Sequence, residues 1–404
     1  MSTPTIQTTE YARRRDRVLT SLKGACGLVM AGDASSSLHE TFTADANFIY
    51  LTGISDEPGA CLLLDPRHPN PARTATLFLV PRDPEIEQWD GLRTPLDSAF
   101  RATCGIKAAV RTTYFSRTLL AAAHRCGTLA CLHPLAAHDQ PLSPDLAIFK
   151  ASAERIPGAT IVDQAQILPR LRAAKSPAEI KMIDTAGSIS ATGFKAVFSG
   201  IEPGQNEFDV QRLFLSAIHE HGSRGVAYPL IAGGGINSTV LHYQANDQVL
   251  EDGDVVCLDA GAAFGHYGAD ITRTFPVNGR FTKRQREIYN IVLAALDAAI
   301  KVIKPGVTFA KIDAAARKVI TKAGYADAFI HGIGHHLGLE THDANPDQPL
   351  KVGAVVTVEP GIYLPDEKIG VRIEDDIVVT RNGRRNLTAS IPRTAAAIQR
   401  AMRR

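Results

Sequence analysis

Charge of one sign is what this 404-residue chain lacks, since 44 Lys and Arg stand against 42 Asp and Glu. Without an excess to neutralise a phosphate backbone, a nucleic-acid partner is not expected. No run of eighteen apolar residues occurs, so no membrane span is expected. The polar N-terminus carries no apolar stretch of the signal-peptide kind. The six cysteines, Cys26, Cys61, Cys104, Cys126, Cys131 and Cys257, are dispersed and never form a C-x-x-C pair. That pattern fits reduced thiols in the cytoplasm, most of them packed in cores, better than a disulfide framework. Compact basic runs are scarce as well. Arg13-Arg14-Arg15 stands alone in the first half, and its expected place is a solvated helix face.

The length suits two domains, each able to bury its own core. Residues 1–165 read as an α/β domain in which short apolar runs, Asn47–Leu51, Cys61–Leu64 and Thr76–Val80, are expected strands between Gly, Pro and Asp. Residues 166–404 read as a second, α+β domain. Its entry is marked by Ser176-Pro177-Ala178-Glu179, a capping-box helix start.

From there the chain looks like two copies of one plan. A helix over about 177–198 precedes Ile201-Glu202-Pro203-Gly204 and a second helix near Asn206. A helix after Thr282, capped with Gln285, precedes Ile303-Lys304-Pro305-Gly306 and another helix. Each helix pair leads to a glycine-rich stretch and an expected β-hairpin, Gly233–His242 and Gly332–His342. Then Val255-Val256-Cys257-Leu258-Asp259-Ala260-Gly261 returns as Val355-Val356-Thr357-Val358-Glu359-Pro360-Gly361. A second acid follows each of these, Asp270 and Glu374. The pairs 259/359, 242/342, 201/303 and 270/374 are separated by 100 to 104 residues. The reading is an antiparallel sheet with helices on one face, whose halves meet about an approximate two-fold axis and bring the acid pairs together.

Acids set between Val255, Val256, Leu258, Val355, Val356 and Val358 are partly withdrawn from water, where bare carboxylates repel one another and resist ionisation. Two divalent cations balance four such acids, and the arrangement fits a binuclear centre with ions about 3.5 to 4 Å apart. His335 joins Asp259, Asp270, Glu359 and Glu374 as a fifth ligand candidate in a histidine-dense stretch with His331, His336 and His342. Oxygen ligands with one imidazole favour Mn²⁺, with Co²⁺ or Zn²⁺ as alternatives, while a structural zinc site would want thiolates. Cys257 shares a strand face with Asp259 but is expected to pack in the core.

Together, Leu258–Gly261, Gly268-Ala269-Asp270-Ile271-Thr272-Arg273-Thr274-Phe275-Pro276, His331-Gly332-Ile333-Gly334-His335, Val358–Gly361 and Arg372-Ile373-Glu374-Asp375-Asp376 resemble the pita-bread metallopeptidases. The likeness is to their proline-specific branch, aminopeptidase P and Xaa-Pro dipeptidase. It extends through Asn47–Gly53 into the N-terminal domain, which sets the chain apart from methionine aminopeptidases. The resemblance implies that Asp259 chelates one ion, Asp270 and Glu374 bridge, and His335 and Glu359 complete the second, with Glu359 also shuttling a proton. It places His242 and His342 beside the scissile bond, His331 and Arg372 on the leaving-group side, and the Tyr363 hydroxyl at the substrate. It further implies a homodimer acting on Xaa-Pro dipeptides or on short peptides with proline second. Xaa-Pro dipeptidase is the leading expectation, Xaa-Pro aminopeptidase the alternative, and a non-catalytic peptide binder a distant third. A dipeptidase needs a basic anchor for the carboxylate after proline. Arg372, His331 and Lys351 are candidates, with Arg93 near Trp89 in the other domain. Many dipeptidases carry a further arginine between the counterparts of His342 and Glu359, and this chain has none there.

Overall fold

The protein is described from a computed structural model that covers residues 4–34, 42–346 and 348–403. It divides into two compact units, Ile6–Arg172 and Ala173 onward, the latter with Thr5. The strands are β1 (Cys26–Met30), β2 (Cys61–Leu64), β3 (Ala75–Leu79), β4 (Ala108–Arg111), β5 (Thr128–Cys131) and β6 (Thr160–Asp163) in the first unit. The second contains β7 (Ile231–Gly234), β8 (Val255–Asp259), β9 (Ala263–Phe264), β10 (Tyr267–Gly268), β11 (Thr272–Pro276), β12 (Val355–Val358), β13 (Gly361–Leu364), β14 (Ile369–Arg372), β15 (Asp375–Thr380) and β16 (Gly383–Asn386). No helix among the described residues is long and apolar enough to cross a membrane.

The first unit is a mixed six-stranded sheet ordered β4-β3-β2-β1-β5-β6, with helices supplying the rest of its core. Two expectations fail here. Asn47–Leu51 belongs to a helix, Ala46–Thr52, because the Asp45 carboxylate accepts the Asn47 and Phe48 amides and Gly53 closes the other end in the left-handed region at φ 72°. Five apolar residues in a row do not distinguish buried strand from buried helix, so the caps decide. The basic run is not a solvated face either. Arg13 is exposed, but Arg14 and Arg15 are buried, donating to Tyr50 O at 3.0 Å and Leu51 O at 2.7 Å. Those carbonyls close a short helix and lack partners within it, so the guanidinium groups of the helix Thr8–Ser21 satisfy them.

In the second unit the helices Pro177–Gly200 and Lys283–Val302 open with capping boxes from Ser176/Glu179 and Thr282/Gln285. Each packs on a shorter partner, Glu207–Glu220 and Phe309–Lys322. The duplication is visible in single bonds. Gly204 N donates to Leu250 O and Gly306 N to Leu350 O, both at 2.8 Å, with both glycines in the left-handed region. Val277 N to Asp254 O at 2.9 Å likewise recurs as Val379 N to Ala354 O at 2.8 Å. Phe194, Phe214, Phe275, Leu296 and Ile377 share one core that joins both helix pairs to both strand sets.

The strands do not form one continuous sheet. They form the pieces β11-β8-β7, β12-β15-β16, β13-β14 and β10-β9. Neither glycine-rich stretch is itself a hairpin: the first is β7 followed by a 3-10 turn, Gly235–Thr239, and the second is irregular backbone bound to β12. The two halves are stitched across their seam. Glu374 N donates to Thr272 O at 3.0 Å, and Arg372 N to the Thr274 hydroxyl at 3.1 Å, which returns a bond to Arg372 O. Arg273, fully buried, reaches the Asp375 carboxylate at 2.7 Å, Thr272 O at 2.8 Å and Pro392 O at 2.9 Å. Its charge is paired and most of its donors are occupied, as a buried guanidinium requires.

Gly261 has a close-approach reason of its own. A Cβ there would lie 1.7 Å from the Ala269 carbonyl oxygen, the residue before Asp270. Gly261→Ala is therefore expected to cost roughly 2 kcal/mol or more by forcing backbone apart. Gly225→Ala, with nothing within 4 Å, should change stability by less than about 0.5 kcal/mol. Thermal denaturation of the two variants side by side checks the pair, and equal melting points would refute the close-packing account.

Candidate metal centre

The first acid closes β8, where Asp259 lies between Thr272 of β11 and Ile231 of β7. Asp270 sits just ahead of β11, its position set by its own amide donating to Asp376 Oδ2 at 3.1 Å. Glu359 directly follows β12, and Glu374 occupies the two-residue break between β14 and β15. The imidazole arrives on irregular backbone that runs beside β12. Thr357 N donates to His335 O and Glu359 N to Ile333 O, both at 2.9 Å, while His335 N donates to the Thr357 hydroxyl at 3.1 Å. Gly334 permits this approach, since a Cβ there would meet Thr357 O at 2.3 Å. Residues 115 positions apart in the chain thus share one cavity of about 520 Å³.

That cavity is lined by all five expected ligands, Asp259, Asp270, His335, Glu359 and Glu374, together with His242, His342, His331 and Arg372. Potential donor atoms of Asp270, His335 and Glu374 lie within 4.8 Å of one another. His335 Nε2 is 3.4 Å from Asp270 Oδ2 and 3.7 Å from Glu359 Oε1. Its Nδ1 is 3.0 Å from His336 O, which can only accept, so the other nitrogen faces the carboxylates. That nitrogen must either hold a proton or give its lone pair to a cation between the groups. The donor set fits hard divalent ions.

Asp259 is held differently. It accepts from the Tyr228 hydroxyl at 2.5 Å and from Arg372 Nη2 at 2.8 Å. Arg372 also donates to the Thr272 hydroxyl through Nε and to Tyr363 Oη through Nη1, both at 3.1 Å. Tyr363, which does not itself line the cavity, lies 2.8 Å from His331 Nε2, and His331 Nδ1 lies 2.8 Å from Gly332 O. The chain Arg372, Tyr363, His331 therefore runs donor to acceptor with a neutral imidazole at its end. His242 and His342 are exposed at the cavity, the His342 ring 4.2 Å from that of His335. Lys351 is exposed and does not line this cavity, while Trp89 and Arg93 belong to the other unit.

Burial raises the pKa of Asp259 and, well above its usual range, that of Glu374, with the neighbouring acids adding to both. Burial likewise lifts Glu359 to about 7, against the opposing pull of His335 and Arg372. Burial lowers His335, yet its bond to Asp270 and the charges of Asp270 and Glu359 outweigh that and raise it to about 9. His331 falls to about 4 through burial. Several contributors had no sequence signal. Tyr228 lies before Pro229 with no counterpart in the repeat, and the Thr272 hydroxyl, which donates to Glu374 Oε2 at 2.8 Å, looks in sequence like any strand threonine.

Carboxylates and one imidazole converging in the cleft of a duplicated α+β fold define a metallopeptidase of the pita-bread type. Residues 181–381 match Metallopeptidase family M24, and residues 11–130 match Aminopeptidase P, N-terminal domain. A relative named Xaa-Pro aminopeptidase from Haemophilus influenzae is 32% identical, covering 97% of this chain and 97% of its own. The solved structure of proline aminopeptidase P II from Yersinia pestis superposes with a TM-score of 0.87 at 31% identity, over 98% of this chain and 99% of that one. A relative named Xaa-Pro dipeptidase from Pyrococcus furiosus is 39% identical but covers only 55% of this chain and 65% of its own. The chain belongs to the proline-specific pita-bread branch of metallopeptidase family M24, whose members use divalent metal ions. The full-length likeness favours the aminopeptidase alternative over the leading dipeptidase expectation.

Metal loading should release protons. At pH 7 the metal-free His335 ring is protonated, and it must lose that proton to bind an ion, so about one proton per chain is expected from it and part of another from Glu359. Release should shrink as the pH rises through about 9. Titration with Mn²⁺ in weak buffer containing an indicator dye measures it. A wild-type signal no larger than that of His335→Ala would rule out ligation by His335.

Proposed function

We propose that the protein is a metal-dependent Xaa-Pro aminopeptidase, removing the N-terminal residue from peptides with proline second and accepting substrates longer than a dipeptide. The observation that carries this is the state of Arg372. Each of its three nitrogens already donates once, to Thr272, Tyr363 and Asp259, which orients the guanidinium toward these partners and not toward a carboxylate directly after proline. His331 is neutral and Lys351 lies outside the cavity, so the other anchor candidates in this unit fare no better. The full-length relatives named Xaa-Pro aminopeptidase point the same way.

In this reading Asp259, Asp270, His335, Glu359 and Glu374 hold two divalent ions, with Mn²⁺ preferred and Co²⁺ or Zn²⁺ as alternatives. When bound, such ions acidify water and polarise the scissile carbonyl. Glu359 takes a proton and returns it to the leaving proline nitrogen. His242 and His342 donate to the substrate carbonyl as charge develops on its oxygen. Tyr363, its oxygen fixed by Arg372 and its proton turned to His331, keeps that imidazole in one tautomer on the leaving-group side. Tyr228 and Arg372 together hold Asp259 in one orientation. The domain assignment, an α/β N-terminal domain ahead of the catalytic domain, and a cytoplasmic homodimer belong to the same reading.

The decisive comparison is Ala-Pro against Ala-Pro-Ala at equal Mn²⁺. Tripeptide turnover should exceed dipeptide turnover by about tenfold or more in kcat/KM. The reverse ratio would return the assignment to Xaa-Pro dipeptidase. Asp270→Asn is expected to lower kcat by roughly two orders of magnitude or more, along with bound metal measured by elemental analysis. Full tripeptide turnover by chelator-stripped protein would end the metallopeptidase reading altogether.

A further inference from the structure

The first unit contains a cavity of about 680 Å³ whose chemistry is opposite to that of the metal centre. Its walls are Thr76 of β3, the edge strand β4, and one face of the helix Phe115–Cys126, where Arg117, Thr118, Ala121 and Arg125 recur at helical spacing. Arg73, Arg101, Lys107 and Arg117 line it, and no Asp or Glu does. In a chain with 44 basic and 42 acidic residues, such segregation concentrates a positive field in one hollow. Among the described residues none of these four has a carboxylate within ion-pair distance, although Arg82 and Arg125 of the same unit do. Arg125 also borders the cavity, but the Asp65 carboxylate holds it through Nε and Nη2. It serves as wall, leaving four unneutralised cations.

We propose that this cavity binds a nucleoside polyphosphate. Four cations match the roughly four negative charges of a nucleoside triphosphate, and guanidinium forks take phosphate oxygens bidentately. Thr76 and Thr118 line the same wall, but their hydroxyl protons go to Arg73 O at 3.2 Å and Tyr114 O at 2.8 Å, so the donors for phosphate are the four cations. Ala108, Ala109, Val110 and Ala121 form an apolar floor, and Tyr114, 60% exposed at the rim, offers a ring face for a base. The volume lies within the range of about 300 to 1,000 Å³ usual for small-ligand sites. A compact organic phosphate suits it better than a nucleic-acid strand, whose backbone would need cations along an extended track.

Isothermal titration calorimetry of the full-length protein with ATP, at low salt and without added metal, tests the assignment. A Kd of about 0.1 mM or tighter is expected, weakening with salt, with adenosine alone giving no heat. Arg73→Ala with Arg117→Ala should weaken ATP by about tenfold or more. Both side chains are exposed and the melting point should hold. Asp270→Asn, in the metal centre, should bind ATP as the unmodified protein does. Unchanged affinity in the arginine variant overturns the proposal. So does loss of binding in Asp270→Asn alone, or an RNA oligonucleotide or acidic peptide that binds where ATP does not. Lys107→Gln, also exposed, supplies the same comparison should the double variant melt early.

Discussion

Carboxylates crowded away from water cannot all remain ionised without cations close by, and the second unit is built around that constraint. Asp259, Asp270, Glu359 and Glu374 line one cavity, and the protein places a single fixed positive charge among them, Arg372. Burial raises the pKa of three of the four, which marks the metal-free cluster as electrostatically incomplete. The surrounding structure manages the deficit by orientation. Tyr228 and Arg372 fix both oxygens of Asp259, Thr272 fixes one oxygen of Glu374, and the His336 carbonyl turns the imidazole of His335 toward the acids. Side chains so held offer lone pairs at set positions, which lowers the reorganisation that ligation would otherwise cost.

Arg372 has two tasks in this arrangement, and the first limits the second. As the counter-charge to Asp259 it is buried at the cavity wall, and a buried guanidinium is satisfied by donors used within the protein. It is therefore committed before any substrate arrives. The proposed preference for peptides longer than a dipeptide then follows from the electrostatics around Asp259 more than from the width of the cavity.

The duplicated plan was legible because it leaves local marks at near-constant spacing: capping boxes, Pro-Gly turns and acid-terminated valine runs. The paired bonds at Gly204 and Gly306 are the direct physical form of that spacing. What escaped depends on partners distant in sequence. Arg14 and Arg15 are buried only because a helix 36 residues away ends with unsatisfied carbonyls beside them. Asn47–Leu51 becomes helix through its caps, although its apolar run alone resembles a strand. Tyr228 and Thr272 matter through single side-chain bonds that no periodicity records. The arginine missing between His342 and Glu359 already told against a dipeptidase, and nothing local in the sequence could show that Arg372 is engaged by Thr272, Tyr363 and Asp259.

The seam between the halves also sets an order of events in the cell. Arg273 follows Asp270 closely in the first half, and its donors end on Asp375, next to Glu374 in the second, and on the carbonyl of Pro392. A ribosome reading this message will have made Asp259 and Asp270 about a hundred residues before Glu359 and Glu374, the acids that join them in the cavity. Until Pro392 has been made, the guanidinium of Arg273 lacks part of its cage. A chain cut short before Glu359 would hold Asp259 and Asp270 without the other half of the acid cluster.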